Sequence, residues 1–235
     1  MTRVLLVRHG RTTANASGVL AGRTPGVQLD EVGVAQAVSV GQALRDVRLT
    51  HIVTSPLERT VETARLIRME RVGDARPTLT KDKNLSECDY GDWTGKKLKR
   101  LAKDPLWLAV QAHPSSVNFP NGESMLAAQT RAVFAVRQWA KRAQSEVGDG
   151  GVVLIVSHAD IIKSIVADAL GMHLDMFQRI VVDPGSVTAI DYTSLRPFVS
   201  LLNGTTDVGA AISAGIPHGS DAAVGGGAGR TSKRK

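Results

Sequence analysis

The chain has 235 residues, 43% of them apolar, a formal net charge of +7 and a single cysteine. That length and apolar fraction support one large domain or two small ones with a real core, while a lone Cys88 excludes an intramolecular disulfide and a cysteine-rich metal site. The positive balance points to anionic partners without choosing among nucleic acid, acidic lipid and small phosphate esters, and four of the charges fall in the last six residues, Arg230 to Lys235.

Neither a basic and apolar leader nor an apolar run of membrane-span length is present, so a cytoplasmic protein without membrane association is expected. The first element is Val4-Leu5-Leu6-Val7, a continuous apolar run that reads as a strand buried on both faces of a sheet. It runs directly into Arg8-His9-Gly10. Ligands of open α/β sheets sit outside the carboxyl ends of the strands, so Arg8 and His9 point to a pocket. Alone, the pair would more readily be read as capping a strand at a solvated edge; the matching parts elsewhere in the chain reverse that.

A polar loop from Arg11 to Pro25 follows, with Asn15 and Gly22-Arg23 inside it. Asp30 then caps a helix whose Val34, Ala37, Val38, Gly41 and Leu44 keep helical spacing. Residues Thr50 to Thr54 read as a second strand, and Ser55-Pro56 as a helix start with serine as the cap. Arg59 falls in the first turn, so two cations lie near strand ends and make an anion site. The competing reading of Arg59 is a surface salt bridge with Glu58 or Glu62.

Thr78-Leu79 opens a third strand, and Leu85 to Trp93 is a loop of acidic groups flanked by aromatics. A carboxylate held near such rings has a raised pKa and makes a better proton donor. Glu87, Asp89 and Asp92 compete for that role on local sequence. Lys96 to Ala112 reads as a helix with a basic patch, more often a solvated face than a substrate-binding one, and His113-Pro114 ends it. Gly122-Glu123-Ser124 starts a long amphipathic helix to about Gln144, assigned to core packing.

Val152 to Val156 is the second strongly apolar strand, and it too ends in an imidazole, at Ser157-His158-Ala159. A helix from Ile161 to Leu170 follows. Two histidines at the ends of two buried strands favour a shared pocket. Ser186 to Tyr192 and Phe198 to Leu202 read as closing strands, and beyond Asn203 the Gly- and Ala-rich composition predicts a disordered tail, residues 204–235, with a basic end.

Taken together, Arg8-His9-Gly10-Arg11-Thr12-Thr13-Ala14-Asn15, Ser55-Pro56 with Arg59, the Glu87 to Gly95 segment, Gly122-Glu123-Ser124 and Ser157-His158 resemble the signature of the histidine phosphatase superfamily, the phosphoglycerate mutase-like clan. The resemblance covers about residues 3–202. It implies a catalytic domain over residues 1–203 with a phosphoglycerate mutase-like fold: a three-layer α/β/α sandwich, a mostly parallel central sheet and helices on both faces. It also implies roles. His9 is the nucleophile; Arg8 and Arg59 clamp the phosphoryl oxygens; His158, protonated, adds a third positive group; Asn15 adds a neutral donor; and Glu87, chosen over Asp89 and Asp92 by the resemblance alone, is the acid and base. Arg23 assists at the rim, and the backbone at Ala159 approaches the phosphate. No metal or cofactor is called for. Ala159-Asp160 departs from the glycines many relatives carry after this histidine.

Mutases of the clan carry a longer insertion after the acid, with adjacent arginines for the substrate carboxylate. Here the interval to Glu123 is shorter and lacks an Arg-Arg pair. The sequence reading is therefore a phosphatase acting on a small phosphate ester, with a phosphomutase as the alternative and a non-catalytic phosphate-binding regulator as a lesser one. No nucleic-acid partner is expected, since the basic tail lacks aromatic residues for stacking. A homodimer is compatible with such a fold.

Overall fold

The computed structural model describes residues 1–71, 77–205 and 208–213. The two apolar runs lie at the middle of a six-stranded sheet of order β3-β2-β4-β1-β5-β6, comprising β1 (Thr2–Arg8), β2 (His51–Thr54), β3 (Leu79–Lys81), β4 (Gly151–Ser157), β5 (Val187–Tyr192) and β6 (Pro197–Gly204). β1, β2, β3 and β4 pair in parallel, and only β5 runs against its neighbours. The sheet is mostly parallel, as expected.

Alternation along the central strands divides the core into two layers. Val4, Leu6, Val153 and Ile155 face one cluster, which is covered by α6 (Met125–Val147) and α7 (Ala159–Ala169). Leu5, Val7, Leu154 and Val156 face the other, covered by α2 (Glu31–Leu44) and α3 (Glu58–Met69). All eight of these strand residues are fully buried, which is why they read as unbroken apolar runs. Helices therefore lie on both faces. The parallel pairing brings the carboxyl ends of β2, β4 and β1 side by side, and with them Ser55, His158 and His9.

Several expectations are corrected. The loop after β1 contains α1 (Thr13–Ala16), capped by Thr12 and Asn15 reciprocally. The Lys96 to Ala112 segment is two short helices, α4 (Leu98–Leu101) and α5 (Leu106–Ala112), because Asp104-Pro105 interrupts it. Helix α3 begins at Glu58 with Leu57 at its cap position, two residues later than Ser55-Pro56 suggested, and Ser55 has another partner.

The expectation of a disordered tail from residue 204 fails at its start. Gly204 closes β6, and α8 (Val208–Ser213) packs on α2, burying Val208 and Ile212. The physical reason is a cation that composition conceals: buried Arg3 pairs with Asp191 at 2.6 Å and donates to the Ile212 carbonyl at 2.5 Å, tying the segment to β1 and β5. Residues 214–235 of the expected tail lie outside the described residues. Among the described residues no helix is long and apolar enough to cross a membrane.

The loop bearing His9 lies flush on α2. A Cβ at Gly10 would collide with the Gly33 carbonyl, and one at Gly33 with that of Arg11. Gly33→Ala is therefore expected to cost about 1–3 kcal/mol through overpacking, read as a lower thermal midpoint. An unchanged midpoint would show that the loop can lift off the helix freely.

Candidate active site

His9 follows β1 and is 4% exposed. Its Nδ1 lies 2.7 Å from the Gly10 carbonyl oxygen, and its Nε2 is 3.2 Å from the Nε of Arg59. An arginine nitrogen can only donate and a carbonyl can only accept, so these two contacts fix the tautomer. Nδ1 carries the proton, and Nε2 presents its lone pair. Burial, and then the charge of Arg59, hold the pKa of His9 well below the usual imidazole value, so the ring is neutral at neutral pH.

Arg59 is 2% exposed, which rules out the surface salt bridge. Besides His9, its Nη2 donates to the Gly22 carbonyl at 2.8 Å and contacts His158 Nδ1 at 3.2 Å. Gly22 has φ +51°, and a side chain there would press on Thr94, so the residue supplies its carbonyl through a backbone that favours glycine. Arg59 Nη1 and Arg8 Nε are buried donors without a hydrogen-bond partner among the described residues, while Arg8 Nη1 donates to the Val182 carbonyl at 2.7 Å. Such orphans are costly unless a ligand meets them. Two guanidinium groups with unused donors are the feature of an oxyanion site.

His158 is fully buried, 5.3 Å from His9 between ring centres. Because Nδ1 accepts from Arg59, Nε2 bears the proton and donates to Ser55 Oγ at 2.8 Å. Burial, Arg59 and His9 all lower its pKa well below the ordinary value. The expectation of a protonated His158 is thus corrected: the imidazole is neutral, and the positive charge beside it comes from Arg8 and Arg59. The placement of Ser55 at the His158 ring was missed in the sequence, where Ser-Pro looked like a helix cap.

Ala159 is the first residue of α7, whose amino end has no side-chain cap. That leaves first-turn N–H groups near His158 open to an anion. Asn15 accepts from Thr12 N and Oγ1 through its Oδ1, which turns the amide so that Nδ2 is the remaining donor.

Glu87, 9% exposed, lies with one carboxylate oxygen 4.0 Å from His158 Nδ1 and the other accepting from Cys88 N at 3.0 Å. Burial, reinforced by the charge of Asp160 and opposed by Arg59 and Arg8, raises its pKa to about 7. It can hold or release a proton near neutrality. Asp92, by contrast, is bonded by exposed Asn121, and Asp89 is committed to Arg23 and Gly91 N. Burial and position thus separate the three carboxylates that sequence left equal.

Arg23, expected to assist at the rim, is bonded within the protein as a brace. Its Nε donates to the Glu87 carbonyl at 2.9 Å, Nη1 reaches Asp89 at 3.3 Å and Nη2 reaches Glu123 at 2.8 Å. Arg131, on the helix assigned only to packing, completes the brace by donating to Glu87 O at 3.1 Å, Asn84 O at 2.6 Å and both Glu123 oxygens. Glu123 also accepts from Asp89 N at 2.9 Å. Arg131→Met should lower kcat/KM by about 10–100-fold through misplacement of Glu87, with a larger loss for alkyl than for aryl phosphate esters. Equal losses for both would mean that Arg131 merely stabilises the fold.

An α/β sheet that sets a neutral imidazole lone pair against Arg59 Nε, beside two guanidinium donors without a partner among the described residues and a carboxyl poised near neutrality, has the groups that phosphoryl chemistry requires. Comparison agrees: the chain belongs to the Histidine phosphatase superfamily (branch 1), whose profile matches residues 4–205. It is 32% identical over 195 residues to a protein named Probable phosphoglycerate mutase GpmB from Erwinia tasmaniensis, covering 82% of this chain and 86% of that one. Among solved structures it is similar to Bacillus stearothermophilus YhfR, at 28% identity and TM-score 0.79, with 88% and 100% of the two chains covered. It is also similar to the alpha-ribazole phosphatase from Shigella flexneri, at 28% identity and TM-score 0.72, covering 86% and 96%.

Proposed function

We propose that this chain hydrolyses a small phosphate monoester through a phosphohistidine at His9, without a metal ion. The observation that carries the reading is the fixed tautomer of His9, whose Nε2 lone pair meets Arg59 beside the unpartnered donors of Arg8 and Arg59. As a phosphoryl group docks, its oxygens take the guanidinium N–H groups, including the one that holds Nε2. The freed lone pair attacks phosphorus, and the bond to the leaving oxygen breaks. Glu87 gives that oxygen its proton. In the second half, carboxylate Glu87 takes a proton from water, whose oxygen attacks the phosphohistidine and returns His9. The α7 amino end adds neutral donors, and His158 positions Arg59 through its Nδ1 acceptor.

The alternative, a phosphomutase, is favoured by the similarity to a protein named as a probable phosphoglycerate mutase. Against it, a sugar-acid mutase must grip a carboxylate, and the two arginines that reach the acid loop, Arg23 and Arg131, are bonded to Glu123 and to backbone carbonyls. The test is p-nitrophenyl phosphate hydrolysis in excess chelator, beside a 3-phosphoglycerate mutase assay with and without 2,3-bisphosphoglycerate. Chelator-resistant hydrolysis without mutase turnover supports the phosphatase. Robust mutase activity overturns it, and silence in both with phosphate still bound favours the non-catalytic regulator.

A further inference from the structure

The pocket contains a charge that phosphoryl transfer does not need. Asp160 stands in the first turn of α7, two residues after His158, with its side chain 26% exposed. Tyr90 OH donates to its Oδ2 at 2.8 Å. The Tyr90 ring in turn backs Gly22, whose carbonyl holds Arg59, so the carboxylate is tied to the wall of the phosphate cage. Its charge is felt at both Arg8 and Glu87.

Its other oxygen, Oδ1, has no hydrogen bond among the described residues. Lys163 Nζ forms an ion pair with it at 3.9 Å, beyond hydrogen-bond length, while donating one of its three protons to Gln178 at 3.1 Å and lying over the Phe177 ring. A carboxylate at a helix amino end is ordinarily a favourable partner for the dipole. Here that end must also receive a phosphoryl anion, and a second negative group at the same place works against it. The arrangement makes sense if Oδ1 has a further task in the complex.

Resting on the phosphoryl-transfer reading above, we propose that Asp160 is a specificity-determining residue: its Oδ1 takes an ammonium group on the alcohol portion of the substrate, selecting phosphorylated amino alcohols over phosphorylated hydroxy acids. The same carboxylate repels a substrate carboxylate.

The experiment uses three two-carbon esters whose alcohol portions end in a cation, a neutral group and an anion: O-phosphoethanolamine, ethyl phosphate and 2-phosphoglycolate. Their kcat/KM values are measured for the wild type and for Asp160→Asn, with Asp160→Ser as a second variant should the first fail to fold. The wild type should prefer phosphoethanolamine to phosphoglycolate, and removal of the charge should lower that ratio by about tenfold. A change in the proton affinity of Glu87 shifts all three alkyl esters in the same direction, and ethyl phosphate, uncharged on its alcohol portion, reports its size. A ratio that survives loss of the carboxylate, or a wild type that prefers phosphoglycolate, overturns the proposal. If no ester is turned over, hydrolysis fails as a reading, and the dissociation constants of the same three esters by calorimetry carry the same expectation and the same refutation.

Discussion

His9→Ala should lower phosphatase kcat by about 10^4-fold or more, the scale seen when a nucleophile is removed, while inorganic phosphate or vanadate still binds. The separation follows from the geometry. Binding rests on Arg8 Nε and Arg59 Nη1, which the substitution leaves in place, whereas chemistry rests on the one lone pair at Nε2. The His9 side chain contacts Gly10 O, Arg59 and the His158 ring, so its loss does not empty the apolar core. The thermal midpoint should stay within about 5 °C. Turnover that persists in this variant would place the nucleophile elsewhere.

Glu87→Gln should lower kcat/KM for an alkyl phosphate by about 10^2–10^4-fold, and for p-nitrophenyl phosphate by far less, because an activated aryl oxide departs without a proton. The pH dependence has a definite sign. With its pKa raised to about 7, Glu87 is protonated and competent as an acid below that value, and loses competence as the pH rises through it. Wild-type kcat/KM for the alkyl ester should therefore fall on the alkaline side of about 7, and that limb should vanish in the variant. His9 puts no limb in this range, because it is already neutral. Equal losses for both ester types, or an alkaline limb that survives Glu87→Gln, would remove Glu87 from the acid role.

What sequence could reveal follows from what kind of contact each residue makes. Val4 to Val7 and Val153 to Val156 were legible because strands with both faces buried must be apolar throughout, and the histidines after them were legible as polar groups at the ends of such runs. Contacts that depend on three dimensions were not. Ser55 is a plausible helix cap until β2 and β4 are seen to pair, which sets its hydroxyl against His158. Arg131 looks like one polar position on an amphipathic helix, yet its fork reaches a carbonyl 44 residues away in sequence. The charge state of His158 could not be read either, since it depends on Arg59 pressing a donor against Nδ1. Similarly, the C-terminal helix was hidden in Gly- and Ala-rich composition, and the buried Arg3 that anchors it looked like an ordinary charge before a strand.

Between the two half-reactions Nε2 of His9 should carry the phosphoryl group. Rapid acid-free quenching of the enzyme with a slowly turned-over phosphate ester, followed by mapping of the phosphorylated peptide, should find an acid-labile, base-stable phosphate on His9 Nε2, formed in excess chelator and absent from His9→Ala. Wild-type hydrolysis that proceeds with inversion at phosphorus and leaves His9 unlabelled would contradict it, since direct attack by water needs no covalent intermediate.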